Sequence, residues 1–132
     1  MDKSEPKQPL ILVVDDSVQT AMFQKIVMEY VGKFRAEMVT SGTSALEIAR
    51  TLHPDLVLMD SIMPQPDGWE CCKLLKQAPE TQHIPILLCG TLSNEEYRMK
   101  SLEAGALDYL VLPMTAQDIL ERVRQALASA KG

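Results

Sequence analysis

The sequence predicts an α/β domain: a parallel sheet covered by helices on both faces. Three observations lead to it. Short apolar runs, LILVV at 10–14, LVLM at 56–59 and the stretch IPILLC at 84–89, have the length and composition of strands buried on both sides. Segments with apolar residues at helical spacing lie between them. Strand and helix alternate five times, a pattern that specifies parallel strands joined by right-handed crossovers. At 132 residues, 46% hydrophobic and 5% aromatic, the chain suits one domain with an aliphatic core large enough to need no staples. No internal repeat or linker signals a second domain. The expected division is a flexible leader over 1–9 and a single folded domain over 10–130.

The leader mixes charges with two prolines, so order is expected from Leu10. Leu10 to Val14 is the first strand, and it ends on the acid pair Asp15 and Asp16. Met22, Phe23, Ile26, Val27 and Tyr30 then recur at helical spacing, a stripe expected to pack on the sheet before Gly32 stops the helix. Phe34, Ala36 and Met38 alternate with Arg35, Glu37 and Val39, which suits a half-exposed edge strand. The second helix is expected from about Ser44, where Ser44 and Glu47 have capping-box spacing and Leu46, Ala49 and Leu52 form the apolar face. His53 precedes Pro54 and reads as a surface residue at the helix end, with no chemistry assigned to it.

Leu56 to Met59 reads as a central strand that stops on a carboxylate, Asp60. Pro64, Pro66 and Gly68 mark a loop entering the third helix, where Asp67 and Glu70 have capping-box-like spacing and Trp69, Cys72 and Leu75 face inward. Ile84 to Cys89 is the fourth strand and runs into Gly90, Thr91, Leu92 and Ser93. Ser93 with Glu96 starts a weakly amphipathic helix that stops near Gly105. Few apolar residues anchor that helix, which makes it a candidate for movement. Leu107 to Leu112 is the fifth strand, closed by Pro113, and a last helix from Thr115 presents Ile119, Leu120, Val123, Leu127 and Ala130 on one side.

Composition excludes several classes of function. A net charge of −5 and no cluster of Lys and Arg argue against a direct nucleic-acid binder. The three cysteines, two of them adjacent at 71 and 72, fit neither a disulfide framework nor a zinc spacing and indicate free thiols of a cytoplasmic protein. No apolar run has the length of a membrane span, and the polar start lacks the apolar core of a signal peptide.

In an open parallel sheet, ligands gather outside the carboxyl ends of the strands. Asp15, Asp16 and Asp60 all stand there, and they converge if the first and third strands are neighbours. Their mutual repulsion calls for a cation. An oxygen-only donor set suits magnesium, which takes one or two carboxylates and keeps several waters. With phosphate as the other ligand, the arrangement fits phosphoryl transfer, where catalysis is mainly positioning and charge neutralisation. The plainer role of each Asp is to cap the helix that follows it.

VVDDS at 13–17, LVLMDSIMPQPDG at 56–68 and EAGALDYLVLP at 103–113, with the spacings between them, resemble the response regulator receiver domain of two-component signalling, from about Leu10 to Leu127. The resemblance implies a flavodoxin-like five-stranded sheet in the order 2-1-3-4-5 and a phosphoryl group received from a histidine kinase or phosphotransfer protein. It implies Asp60 as acceptor, Mg2+ held directly by Asp16 and Asp60 and through water by Asp15, and the backbone carbonyl of Ile62 as a further ligand. It also implies an output or target protein docking on the face formed by helix 4, strand 5 and helix 5, leaves room for a homodimer, and implies a cis Leu112-Pro113 bond. Such a chain is a phosphoryl acceptor with self-dephosphorylation and not a free-standing enzyme.

Two positions depart from the family pattern. Gly90 stands where the family ends its fourth strand with a Thr or Ser hydroxyl, with Thr91 one residue late. Leu112 stands where the family has a Lys before Pro113. Tyr109 fits the family's aromatic rotamer reporter and equally fits a packing role in strand five. Ile62 and Leu92 flank the acids with apolar side chains, as if to hinder attacking water. A pseudo-receiver, binding a partner without phosphorylation, is the alternative from another class. A flavodoxin-like cofactor binder or a metal-dependent phosphatase is a third, but neither a P-loop nor a Gly-rich dinucleotide turn is present.

Overall fold

The computed structural model describes residues 8–131. The leader expected over 1–9 lies outside the described residues except for Gln8 and Pro9. The carbonyls of Gln8 and Pro9 accept hydrogen bonds from Arg35 Nε (2.9 Å) and Arg35 N (3.0 Å).

Along the chain run β1 (Leu10–Val14), α1 (Val18–Ile26) continued by a π-helical turn (Val27–Val31), β2 (Arg35–Val39), α2 (Gly42–Leu52) and β3 (Leu56–Asp60). Next come α3 (Gly68–Gln77), β4 (Ile86–Gly90), α4 (Glu95–Glu103), β5 (Asp108–Val111) and α5 (Ala116–Lys131). The strands form one sheet in the order β2-β1-β3-β4-β5, every pair parallel. Its order reverses between β1 and β3, so the carboxyl ends of those two strands open onto the crevice where such sheets bind ligands.

Side chains alternate across the sheet with period two, and each face has its own core. Leu12, Val14, Val57, Met59, Ile86 and Leu88 meet α2, α3 and the end of α4 on one side. Ile11, Val13, Leu56, Leu58, Leu87, Cys89 and Leu110 meet α1 and α5 on the other. The edge position of β2 agrees with its half-exposed pattern.

Helix α1 departs from the sequence expectation. Met22, Phe23, Ile26 and Tyr30 are between 48% and 71% exposed; Val27 is buried as expected, and Ala21, Gln24 and Met28 are buried with it. Two adjacent lines of the helix are apolar, and periodicity alone cannot choose between them; close approach to the sheet favours the line that carries Ala21. In α2 the cap is Ser41, whose Oγ accepts from Ser44 N at 3.1 Å, so the helix starts earlier than the Ser44–Glu47 spacing suggested. Leu52 and Ala130, expected inward, are exposed. Asp67 does cap α3, accepting from Glu70 N at 2.9 Å, and Trp69, Cys72 and Leu75 are buried as expected. Asn94 caps α4 in place of Ser93. β4 starts at Ile86 because Pro85 has no N–H to offer the ladder. Gln65–Pro66 and Leu112–Pro113 are cis.

Gly68 closes the loop after β3. Its N–H donates to the Ser61 carbonyl at 2.9 Å, and a β-carbon there would lie 2.3 Å from the Asp60 carbonyl oxygen and 2.6 Å from Ser61 Cα. Those neighbours are backbone and cannot swing aside. Gly68→Ala is therefore expected to cost about 1–3 kcal/mol, as overpacking does. Phe23→Ala, on the exposed line of α1, should stay within about 0.5 kcal/mol. Urea denaturation midpoints check both, and comparable losses would show that α1 packs differently.

Candidate functional site at the carboxyl ends of β1 and β3

The crossing of the chain at β1 and β3 brings together the acids that the sequence singled out. Asp15 and Asp16 follow β1, Asp60 ends β3, and one carboxylate oxygen from each lies within 4.8 Å of the others. Asp15 is buried, Asp60 partly buried and Asp16 exposed, so the cluster reaches solvent at Asp16 and, in part, at Asp60. Its backbone contacts hold it in shape: Ser17 N donates to Asp15 Oδ1 at 2.9 Å, and Ile62 N donates to Asp60 Oδ1 at 3.2 Å.

No cationic side chain among the described residues pairs with these acids. Among the described residues, the ion pairs join Lys25 to Glu29, Arg50 to Glu80, and Arg98 and Arg122 to other acids, and none reaches the cluster. Burial pushes the Asp60 carboxyl up to about 6, and the neighbouring charge of Asp15 pushes it the same way against the Ile62 N–H. Asp15 is raised as well, by burial and by Asp16, with the Ser17 N–H opposing. A hard, oxygen-only, uncompensated donor set of this kind fits a divalent cation such as Mg2+.

The positions around the acids divide in two. Ile62, two residues after Asp60, and Leu92, in the loop after β4, are about half exposed, and Pro64 lies in the exposed loop after Ile62. Leu112 packs with Met114 and Ala116 against the α1–α5 core, and no ammonium stands in its place. Thr91 is exposed and lines an apolar groove with Thr20, Phe23, Leu112 and Pro113, so it does not supply the hydroxyl absent at residue 90. That place is taken by Tyr109. A β-carbon on Gly90 would lie 2.1 Å from the Tyr109 hydroxyl oxygen and 2.9 Å from its Cζ. The ring is buried, and its hydroxyl donates to the Leu92 carbonyl at 3.0 Å.

Sequence reasoning missed the contacts that carry Tyr109 outward to α3 and α4. Trp69 and Tyr97 have ring centroids 5.3 Å apart, and Tyr97 and Tyr109 6.5 Å apart. Trp69 Nε1 donates to Ser101 Oγ at 3.0 Å, Ser101 Oγ donates to the Tyr97 carbonyl at 2.8 Å, and Lys100 Nζ sits 4.1 Å from the centre of the Trp69 ring. These residues are 28 or more positions apart in the pairs that join α3 to α4, so no local spacing signals them. Ser61, next to Asp60, was also missed: its Oγ is fully buried and lacks a hydrogen-bond partner of ordinary geometry. The cysteines are free, buried thiols, and burial pushes Cys71 and Cys72 up to about 11, which removes them as nucleophiles at neutral pH.

Residues 11–124 match the response regulator receiver domain family. The chain is 32% identical over 123 residues to the phosphate regulon transcriptional regulatory protein PhoB of Rhizobium meliloti, a match covering 93% of this chain and 54% of that protein. It is 36% identical over 116 residues to the response regulator PleD of Caulobacter vibrioides, covering 86% of this chain and 25% of that one. The chain thus spans about half the length of such curated relatives, or less. The solved signal receiver domain of a signal transduction histidine kinase from Syntrophus aciditrophicus matches with a TM-score of 0.83 at 32% identity, covering 92% of this chain and 91% of that one. Sheet order, acid cluster and these likenesses agree, and the chain belongs to the response regulator receiver domain family of two-component signal transduction.

Proposed function

We propose that the chain accepts a phosphoryl group on Asp60 from a histidine kinase or phosphotransfer protein and presents the α4–β5–α5 face to an output protein. The convergence of three carboxylates within 4.8 Å carries this reading. Asp15, Asp16, Asp60 and the Ile62 carbonyl are the residues that would hold Mg2+, whose charge, when bound, neutralises the incoming phosphoryl oxygens. The Asp60 carboxylate oxygen attacks phosphorus, and the bond from phosphorus to the donor breaks. Its electron pair leaves with the donor nitrogen or oxygen, and Asp60 becomes an acyl phosphate. Asp60 is the residue at β3 whose carboxylate is held by the Ile62 N–H with one face open, which suits an in-line approach. The apolar side chains of Ile62 and Leu92 limit water at that opening and prolong the modified state. The protein is a phosphoryl acceptor that reacts slowly with water, working in the cytoplasm, and is not a free-standing enzyme. No helix among the described residues is long and apolar enough to cross a membrane.

One observation favours a second reading. Neither a hydroxyl on residue 90 nor an ammonium on residue 112 contacts the acceptor position, as expected of a module that binds its partner without phosphorylation. Intact mass after incubation with acetyl phosphate and Mg2+ separates the two: one added phosphoryl group, lost in Asp60→Asn, supports the acceptor, and an unchanged mass supports the module.

The raised carboxyl of Asp60 sets a pH dependence. Between about 4 and about 6 the folded state binds more protons than the unfolded chain, so stability of the metal-free protein declines as pH rises through that window. Asp60→Asn should flatten this decline and raise the midpoint of thermal unfolding at pH 7. Mg2+ must displace the same proton, so its affinity should weaken below about pH 6 and level off above 7. Calorimetric titration over this range checks the second expectation, and an affinity independent of pH would rule out Asp60 as a ligand.

A further inference from the structure

Gly90 does more than lack a side chain. The point where its β-carbon would stand is 2.1 Å from the Tyr109 hydroxyl oxygen and 3.1 Å from Ser61 Oγ. Two small residues, Gly90 on β4 and Ser61 after β3, therefore leave a slot, and the Tyr109 ring fills it from β5. Any side chain on residue 90 would compete with the ring for this volume. With glycine there is no competitor.

Two further contacts fix the ring. Its hydroxyl donates to the Leu92 carbonyl at 3.0 Å, which ties down the loop between β4 and α4. The ring lies 6.5 Å, centroid to centroid, from the tilted ring of Tyr97 of α4, and Tyr97 meets Trp69 of α3. Within α4 itself only Ser101 is buried, and that residue is held by Trp69 Nε1. The helix is attached through this ladder and through Arg98, whose Nε lies 3.7 Å from Asp108 Oδ1, while Asp108 is also paired with Arg122 of α5. Expelling the ring would give up its burial, break the hydrogen bond to Leu92 and open an empty slot lined by the Ser61 hydroxyl.

We propose that Gly90 and Ser61 form a permanent seat for Tyr109, which clamps the β4–α4 loop and α4 in one arrangement whether or not Asp60 carries a phosphoryl group. A ligand shifts a conformational equilibrium only through contacts that differ between the two states. An event on Asp60 finds no side chain on residue 90 to pull, so the ring keeps its seat and the α4 face is preset. Independence from phosphorylation rests on Asp60 being the acceptor; the clamp itself does not.

Hydrogen exchange of the amides of residues 91–103 in the full chain tests this, with and without Mg2+ and beryllofluoride. Loading is read separately from the fluorine resonance of bound beryllofluoride, which Asp60→Asn abolishes. In the loaded wild-type protein these amides should keep their protection within about twofold, since no contact of the clamp is lost. Tyr109→Phe, which removes one hydrogen bond and keeps the ring, should speed their exchange about fivefold without ligand, and Gly90→Thr should do so by more. A change of tenfold or more on loading the wild type overturns the preset face. Exchange unchanged in Tyr109→Phe overturns the clamp, even where Gly90→Thr fails to fold. If beryllofluoride does not load, the acceptor reading fails, and the two variants without ligand still decide the clamp.

Discussion

Like charges crowded where β1 and β3 end are the constraint that organises this molecule. Three carboxylates, each with an oxygen within 4.8 Å of the others', repel one another, and burial makes the repulsion stronger because less water screens it. A fold assembled only for stability would place apolar or capping residues there. Instead the chain spends its backbone donors, Ser17 N and Ile62 N, on holding two of the acids in position. Burial, and after it the charge of Asp15, still push the Asp60 carboxyl up against those donors. What is missing is positive charge, and the family's usual lysine position, filled by Leu112, withholds it. In the proposed role, the site would depend on a cation from solution more than one with a resident ammonium does.

The removal of both the hydroxyl and the ammonium has an energetic scale. A hydrogen bond to a charged group contributes about 1.5–3 kcal/mol, and coupling between distant sites is typically about 1–3 kcal/mol. Two such contacts are thus comparable with the whole signal that one site sends another. Under the proposed acceptor role, attack by Asp60 would still be open to the acids and a bound cation. The transmission step is the one that would lose its drive. Tyr109, already seated against Gly90, is consistent with a chain in which the chemistry and the outer face are loosely connected.

Much of this was legible in the residues, for identifiable reasons. Apolar runs ending on Asp60 and on Asp15 revealed both buried strands and the acids, since no core accepts an unpaired carboxylate. The caps of α3 and the inward Trp69 followed from local spacing. The α1 face did not, because apolar residues occupy two neighbouring lines and only packing against the sheet chooses between them. Ser41 was overlooked as the α2 cap since Ser44 offers the same chemistry three residues later. Gly90 was legible as a missing hydroxyl, but its role as the floor of a seat was not. That role comes from Tyr109, 19 positions away and across a strand pair, a relation with no periodicity to betray it.

The attachment of α4 follows from the same arrangement. The helix has almost no apolar face, and its sequence, EEYRMKSLE, reads as a segment ready to leave the surface. What holds it is a hydrogen bond from Trp69, an aromatic contact through Tyr97 and a charge pair on Asp108, each modest by itself. Such contacts are directional, unlike an apolar stripe, so they fix a position and not merely an association. A helix so held either keeps its place or loses several contacts together, and Tyr97 links it to Tyr109, the ring packed against Gly90. On the proposed clamp, control over the outer face would lie in the slot at residue 90, and a side chain added there would reach α4 through Tyr109 and Tyr97.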